Sequence, residues 1–306
     1  MGYIGPTIRD IRTNKGLSAK YMYNDIMSRV NYSRFESGKI DTSAENLMEM
    51  LKRINLMMFE FANLSGRDTA AAVAETDRMT QLVAEGHATK NPENFREASR
   101  IVYKSWQEEG YVADHDMYLT MKVYADFYAH HGQVIDAMPE LRDLLNYLDK
   151  TETWYSYEQM MLYNLLPILS VDELLILLPL YLQRINKVSQ MDANMATIGE
   201  IFVQAFQVAI NHRDYGVFKK LLGMFNETHI QERYMAPHFY RRLYNDYANY
   251  YDKKDNACLG EVESMLATVR NLDFPSYYPQ LANTALSLHV WLADDAPSLK
   301  DVETNG

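Results

Sequence analysis

The sequence is poor in cysteine, glycine and proline. Among its 306 residues there is a single cysteine, Cys258, with 13 glycines and 9 prolines, against 18 methionines and 23 tyrosines. One cysteine excludes an internal disulfide and fits a reducing compartment. A chain with so few turn-forming residues turns rarely and runs mostly in helices. We therefore expect an all-α protein in which strands are scarce.

Long hydrophobic runs are also missing. The most apolar stretch, LLILLPLYL from Leu174 to Leu182, contains a proline and is shorter than the about 20 residues that a spanning helix needs. The N-terminal MGYIGPTIRD has no basic-then-apolar signal pattern. We predict a cytoplasmic protein without a membrane partner.

Recognisable catalytic motifs are absent from the sequence. It has no glycine-rich phosphate loop, no Gly-x-Ser-x-Gly elbow and no His-Glu-x-x-His helix. His130 and His131 are adjacent, so on a helix they would point about 100° apart and could not readily share a metal. We expect no enzyme, no cofactor and no metal site.

Charge is distributed unevenly along the chain. Residues 1–65 carry nine Lys or Arg and seven Asp or Glu, a formal charge of +2. Because the whole chain carries −11, the remaining residues carry −13. A basic patch on a small domain is typical of phosphate binding. A solvated face with chance clustering of charge is the alternative.

Five short helices are predicted in residues 1–65. Ser18 and Ser28 are suited to cap the second and third helices, and Thr42 or Ser43 begins the fourth, AENLMEMLKRI. The segment LMMFEFANL supplies the fifth helix. A tight turn between the second and third helices indicates a helix-turn-helix domain.

The segment KGLSAKYMYNDIMSRVNYSRFESGKIDTSAENLMEMLKRINLMMFEF carries a family resemblance. It resembles the phage-repressor-like (XRE) helix-turn-helix, and more closely the version in the Rgg/GadR/MutR family of Gram-positive transcriptional regulators. SRFESG, which closes the third helix, is its most specific part. Tyr23 stands where the broader family usually has alanine, and the following turn lacks the common glycine.

The resemblance implies a double-stranded DNA operator as partner. In the major groove, Arg29 or Arg34 can pair with a guanine edge, while lysines hold phosphates. Arg12 and Glu36 resemble a pair that bridges the first and third helices in this superfamily. The residues predicted to contact DNA are Arg12, Lys20, Ser28, Arg29, Val30, Asn31, Ser33, Arg34 and Lys39.

Residues 66–306 are predicted to form a degenerate tetratricopeptide-like α-solenoid, because long aromatic-rich helices recur every 35 to 45 residues. Turn signals such as NPEN, HHGQ, NHRD and KKDN separate the helices. The predicted helices are 68–86, 92–109, 114–131, 136–149, 155–169, 171–188, 192–212, 214–226, 235–251, 256–271 and 276–293.

The segment WYSYEQMMLYNLLPIL looks like part of the repeat domain of Rgg-type regulators. Those domains bind short secreted pheromone peptides, so the resemblance implies a short apolar peptide as ligand and a role in quorum sensing. Asn164 suits a peptide-backbone contact because its amide both donates and accepts; the alternative is a helix cap or bridge. The predicted peptide contacts are Tyr124, Tyr128, Tyr163, Asn164, Arg184, Phe202, Phe206, Tyr240, Arg241 and Tyr244.

We expect a homodimer, because a single helix-turn-helix reads only a few base pairs. The C-terminal helix YYPQLANTALSLHVWL is the favoured interface, with Leu281, Leu288 and Trp291 as candidates, and self-capping of the repeats is the alternative. The leading function is a DNA-binding regulator that senses a peptide. The alternatives are a peptide-independent regulator that uses the repeats only for dimerisation, and a protein-binding adaptor or inhibitor of tetratricopeptide type.

Overall fold

A computed structural model of the chain describes residues 4–65, 70–132, 139–185, 192–275 and 277–299. All regular structure in these ranges is helical, which confirms the predicted all-α class. The chain divides into two compact units, Met1–Gln81 and Leu82–Gly306. This division falls later along the chain than the boundary predicted after residue 65, and that boundary stays a prediction.

The first unit begins with the five short helices predicted from the sequence. Three of them start at serines: the hydroxyls of Ser18, Ser28 and Ser43 accept the backbone N–H three residues further on, at 3.2, 3.2 and 3.3 Å. These bonds satisfy donors that a helix start leaves unpaired. The helices are α1 Ile4–Asn14, α2 Ala19–Tyr23, α3 Arg29–Glu36, α4 Ala44–Arg53 and α5 Met58–Leu64.

The five helices share one small core. Its buried members are Ile8, Met22, Tyr32, Phe35, Met50, Leu51, Ile54 and Phe61. Helix α1 approaches α3 closely because position 5 is glycine: a Cβ atom on Gly5 would lie 1.7 Å from the carbonyl oxygen of Phe35. The inner side of α3 is therefore packed against α1 without space for a side chain, and its other side faces outward.

Helix α6, Ala70–Thr89, spans the division between the units, and ten α-helices follow in the described ranges of the second unit. Each predicted helix has a counterpart. Within the predicted helix 155–169, the α-helix ends at Leu165 and Leu166–Ile168 forms a 3-10 turn, η1. The change occurs here because Pro167 has no N–H to donate. The remaining helices are α7 Pro92–Glu109, α8 Val112–Ala129, α9 Pro139–Lys150, α10 Ser156–Leu165, α11 Val171–Ile185, α12 Asp192–His212, α13 Tyr215–Glu227, α14 Met235–Lys253, α15 Asn256–Asn271 and α16 Tyr278–Leu292.

Neighbouring helices of the second unit pack in pairs, among them α7 with α8, α12 with α13 and α14 with α15. Helix α12 also contacts α10, α14 and α16, so these four form a common layer. Stacked helix pairs of this kind make a degenerate tetratricopeptide-like solenoid, as predicted. Some residues of the predicted helices lie outside the described residues: 68, 69, 136–138, 186–188 and 276.

None of the helices within the described ranges has the length and apolarity that crossing a membrane requires.

Candidate nucleic-acid interface and peptide site

Helix α3 has one buried face and one exposed face. Tyr32 and Phe35 are buried in the core of the first unit, and the side chain of Val30, on the opposite face, is 69% exposed. All the other outward residues predicted to contact DNA on or beside α3 are exposed too: Ser28, Arg29, Asn31, Ser33, Arg34 and Lys39. The surface that the sequence predicted as outward is therefore outward.

Four cations on this surface have no side-chain partner among the residues that the structure describes. Arg29, Arg34, Lys20 and Lys39 are exposed, and their side chains form neither an ion pair nor a hydrogen bond with the described residues. Lys20 lies in α2, and Lys39 follows the end of α3. Unpaired cations around one exposed helix can donate to phosphate oxygens or base edges without first breaking an internal bond.

Arg12 is not part of this exposed surface, which corrects its prediction as a DNA contact. Its guanidinium pairs with the Glu36 carboxylate at 2.7 Å, Nε to Oε1, with a second contact at 3.3 Å, and donates to the carbonyl oxygen of Leu17 at 2.8 Å. The two side chains are 15% and 11% exposed. The hydrogen bond to Glu36 raises the pKa of Arg12. The predicted bridge between the first and third helices is confirmed.

Two cations that sequence reasoning missed also stabilise the first unit. Arg53 at the end of α4 donates from Nη1 to the carbonyl oxygens of Tyr21 at 2.8 Å and Asn24 at 2.6 Å, where α2 ends. Lys15 donates to the carbonyl oxygen of Ile54 at the end of α4. Basic side chains commonly satisfy such terminal carbonyls. Their partners lie far away in sequence, so no local pattern signals these contacts.

Tyr23 packs against α3 in place of the usual alanine. Its ring centroid lies 5.7 Å from that of Tyr32, and its carbonyl oxygen accepts the N–H groups of Ile26 and Met27, both at 3.0 Å. Asp25 stands in the left-handed region with φ of 62°, where glycine is favoured and aspartate is tolerated. The turn without glycine is thus closed by local hydrogen bonds.

Five of the aromatic residues predicted to contact a peptide lie in the core of the second unit. The rings of Phe206 and Tyr244 stack at 3.8 Å, and those of Phe202 and Phe225 at 4.5 Å. A side chain with 5% or less of its surface exposed cannot touch a ligand without rearrangement, so the prediction is wrong for these residues. The buried residues are Tyr124, Phe202, Phe206, Tyr240 and Tyr244.

Both arginines predicted to hold a peptide carboxylate donate hydrogen bonds to carbonyl groups at helix ends. Arg184 donates to the carbonyl oxygens of Leu148 and Asp149, the latter at 2.8 Å, at the end of α9. Arg241 donates to Thr228 just beyond α13 at 2.8 Å and lies over the ring of Phe225 at 4.6 Å. These carbonyls need donors, so both arginines stabilise the fold. This corrects the prediction that they hold the carboxylate of a peptide.

The other three predicted peptide contacts, Tyr128, Tyr163 and Asn164, keep partly exposed side chains. The hydroxyl of Tyr124 donates to the backbone oxygen of Asn164 at 2.6 Å, which ties α8 to α10. The Asn164 side-chain amide makes no hydrogen bond with any described residue. Among the described residues, it therefore neither caps nor bridges helices.

Two polar residues missed by sequence reasoning lie beside these three. Gln204 on α12 donates to the hydroxyl of Tyr163 at 3.2 Å. His87 on α6 lies 3.0 Å from the hydroxyl of Tyr128 through Nδ1, and burial lowers the pKa of His87. No local sequence pattern indicates these pairings, because the partners in each pair are 41 residues apart in the chain.

The face of α16 predicted to form a dimer interface is turned inward. Leu281 and Leu288 are fully buried within the second unit, and the ring of Trp291 meets that of Phe218 edge-on at 5.7 Å. The repeat array thus covers its own terminal apolar face. The prediction that Leu281 and Leu288 join two subunits is wrong.

In the part of the chain that the structure describes, no group of three or more His, Cys, Asp or Glu side chains is placed to hold a metal ion. Cys258 is partly buried, and burial raises the pKa of its thiol, which disfavours the reactive thiolate.

A five-helix helix-turn-helix unit followed by stacked helical pairs is the fold of helix-turn-helix regulators that carry a helical repeat domain. The model of one family, the C-terminal domain of the HTH-type transcriptional regulator Rgg, matches residues 102–283. The chain belongs to this family of transcriptional regulators, as the resemblance indicated. No match was found among curated proteins.

Solved structures share the fold over nearly the whole chain. A transcriptional regulator from Listeria monocytogenes EGD-e is 16% identical with a TM-score of 0.73, covering 97% of this chain and 99% of that chain. The SHP pheromone receptor Rgg2 of Streptococcus dysgalactiae is 16% identical with a TM-score of 0.67, covering 92% and 98%. A PrgX/iCF10 complex is 17% identical with a TM-score of 0.71, covering 99% and 94%.

Proposed function

We propose that the protein is a cytosolic, homodimeric regulator that reads a double-stranded DNA operator with α3 and senses a short apolar peptide with its repeat unit. The proposal builds on family membership. Among its structural neighbours, Rgg2 is a pheromone receptor and PrgX was solved in a complex with iCF10. Those properties belong to the neighbours, and the surfaces of this chain supply the argument for the same function here.

The observation that carries DNA binding is the set of four unpaired cations around the exposed face of α3. Arg29 and Arg34 lie on that helix, where a guanidinium can bond both acceptors of a guanine edge. Lys20 and Lys39 flank it and would hold phosphates, which sets register without reading sequence. Asn31 and Ser33 add short donors and acceptors on the same face.

Operator selection from random DNA with the full chain tests this assignment. Arg29→Ala and Arg34→Ala should weaken binding to the selected operator by about 1–3 kcal/mol and relax the preference at one base pair each. Lys39→Ala should weaken binding to all sequences alike and reduce the salt dependence. Arg142→Ala, an exposed cation of the second unit, is the matched control. If both α3 variants bind the operator as tightly as the parent, α3 is not the reading helix.

Peptide binding is argued from the free Asn164 amide. It stands next to Tyr163 in α10, and a side-chain amide can donate to and accept from one peptide bond. Residues 66–306, which contain it, carry a formal charge of −13, so an apolar ligand without acidic side chains suits this region better than an acidic one. Apolar side chains of the ligand would supply the burial energy.

Calorimetry of the full chain against a panel of apolar peptides of six to ten residues tests this second half. Asn164→Ala should weaken the binding peptide by about tenfold, the worth of one or two buried hydrogen bonds. Asn271→Ala, an exposed asparagine at the end of α15, should leave the affinity unchanged. The peptide must also shift operator affinity, because a ligand that binds both states equally regulates nothing. Binding without such a shift would favour the peptide-independent regulator.

Dimerisation is proposed because a two-fold pair of helix-turn-helix units reads half-sites about 34 Å apart on one face of the DNA. Light scattering of the full chain at tens of micromolar measures the state directly. A monomer, with or without operator DNA, would contradict the dimeric part of the proposal.

A further inference from the structure

An open groove lies between the C-terminal ends of α12 and α16. Its lining is formed by Ile210, Asn211, Arg213, Leu286, Ser287, Val290 and Trp291. Four of the seven lining residues are apolar and three are polar, and Val290 is 61% exposed. We call this feature the α12–α16 groove. It combines exposed apolar surface with a small number of polar groups, which is the usual make-up of a ligand site.

Arg213 is the cation that lines this groove. It is exposed, directly follows α12 with φ of 51°, and forms no ion pair or hydrogen bond through its side chain with the described residues. The neighbouring carboxylate, Asp214, is occupied, because its Oδ1 accepts the N–H of Val217 at 2.9 Å as the N-cap of α13. The guanidinium therefore keeps five N–H donors for an incoming anion.

The groove continues the candidate peptide site along α12. Gln204 contacts Tyr163 beside Asn164, and Gln207 donates to Asn211 at 3.1 Å on the same face of the helix. Seven residues of helix separate Gln204 from Asn211, a distance of about 10 Å, which an extended peptide spans with about three residues. A peptide that follows α12 from Gln204 thus reaches the groove within a short segment.

We propose that the α12–α16 groove takes the C-terminal end of the apolar peptide, with its last side chain against Val290 and Trp291 and its terminal carboxylate on Arg213. The inference rests on the proposed peptide-sensing function and adds its direction: the C-terminus of the peptide points toward the C-terminus of α12. Asn211, whose amide nitrogen is not used by Gln207, lies beside Arg213 as a second donor.

Charge supports a single terminal carboxylate as the group recognised. Arg184 and Arg241 are engaged by helix-end carbonyls, so neither competes for this role. The acidic balance of residues 66–306 disfavours a ligand with several acidic groups. One carboxylate at one unpaired guanidinium matches the local charge without placing further negative charge along α12.

The test uses pools of apolar octapeptides in two matched forms, with a free C-terminal carboxylate and with a C-terminal amide. Affinity selection with the full-length protein, followed by mass spectrometry, identifies binders, and calorimetry compares each acid with its amide. The parent protein should prefer the acid by about tenfold, the lower end for a hydrogen-bonded charged pair at an exposed site. Arg213→Gln should abolish that preference. Arg142 is an exposed arginine on α9 with no side-chain partner among the described residues, so Arg142→Gln should keep it.

Val290→Asp gives a second test that leaves Arg213 unsubstituted. A carboxylate across the groove should pair with Arg213 and reverse the preference in favour of the amide. Equal binding of acids and amides by the parent, or an acid preference that survives in Arg213→Gln, overturns this inference while operator affinity still responds to peptide. If no peptide of either form binds, the proposed peptide function falls, and this inference falls with it.

Discussion

The ion pair between Arg12 and Glu36 should hold α3 in place, and a double-mutant cycle can measure its contribution. The perturbations are Arg12→Met, Glu36→Met and the two together, since methionine keeps much of the side-chain volume while removing the charge. Arg12→Met removes two contacts to Glu36 and one to the carbonyl oxygen of Leu17. It also leaves a carboxylate that is 11% exposed without its cation.

The magnitude follows from that degree of burial. Breaking a fully buried pair destabilises by about 3–5 kcal/mol, and breaking an exposed pair by about 0–1 kcal/mol. At 15% and 11% exposure we expect about 2 kcal/mol for each single variant. The double variant leaves no charge unpaired, so it should lose no more than about 2 kcal/mol, which gives a coupling energy of about 2 kcal/mol.

Hydrogen exchange followed by mass spectrometry is the suitable assay. The protein's three tryptophans, Trp106, Trp154 and Trp291, all lie in the second unit, so tryptophan fluorescence does not report on the first. A loss of about 2 kcal/mol should speed exchange of the α3 amides about 30-fold, while the urea transition seen by fluorescence stays unchanged. Single-variant losses that add in the double variant, or unchanged α3 exchange, would refute the reasoning.

Three further predictions concern stability. Gly5→Ala should destabilise the first unit by more than about 2 kcal/mol, measured by hydrogen exchange, because the new Cβ would meet the Phe35 carbonyl. Gly223→Ala is the control and should be neutral or stabilising, because its Cβ would have nothing within 4 Å. Equal effects of the two substitutions would contradict the argument. Burial lowers the pKa of His87, so its neutral form is favoured in the fold and the stability of the second unit should fall as pH drops below about 6.5. Urea titrations at several pH values should show a weaker fall in His87→Gln. A pH profile that is unchanged in this variant would exclude His87 as the cause. Arg184→Met should lower second-unit stability by about 2 kcal/mol through the lost carbonyl bonds without changing peptide affinity by calorimetry; a loss of affinity at unchanged stability would restore its predicted ligand role.

Helix boundaries were predictable because they depend on neighbours in sequence. Serines at positions 18 and 28 act as caps wherever the following backbone turns into a helix, and their hydroxyl reaches only three residues along. Pro167 shows the same local control in reverse, since its missing N–H converts the end of the predicted helix 155–169 into a 3-10 turn.

The fate of the aromatic side chains could not be predicted in the same way. Spacing of four residues places Phe202 and Phe206, or Tyr240 and Tyr244, on one side of a helix, but does not state what that side meets. In the fold, Phe218 and Phe225 of helix α13 cover Phe202, Phe206 and Tyr244, and Tyr240 packs against Tyr277, so all four became core. Tyr128, at the same spacing from Tyr124, stayed partly exposed beside His87.

The sequence by itself determined the helical class, the family and the outward face of α3, because caps, periodicity and a local motif act over a few residues. Only the tertiary structure decided which cations are free. Arg12, Arg53, Arg184 and Arg241 all bond to groups between 5 and 36 residues away, and an unsatisfied carbonyl or carboxylate becomes their partner only once the helices have packed. Arg213 lies at a groove for the same reason: packing brought α16 beside α12 and, among the described residues, brought no carboxylate to the guanidinium.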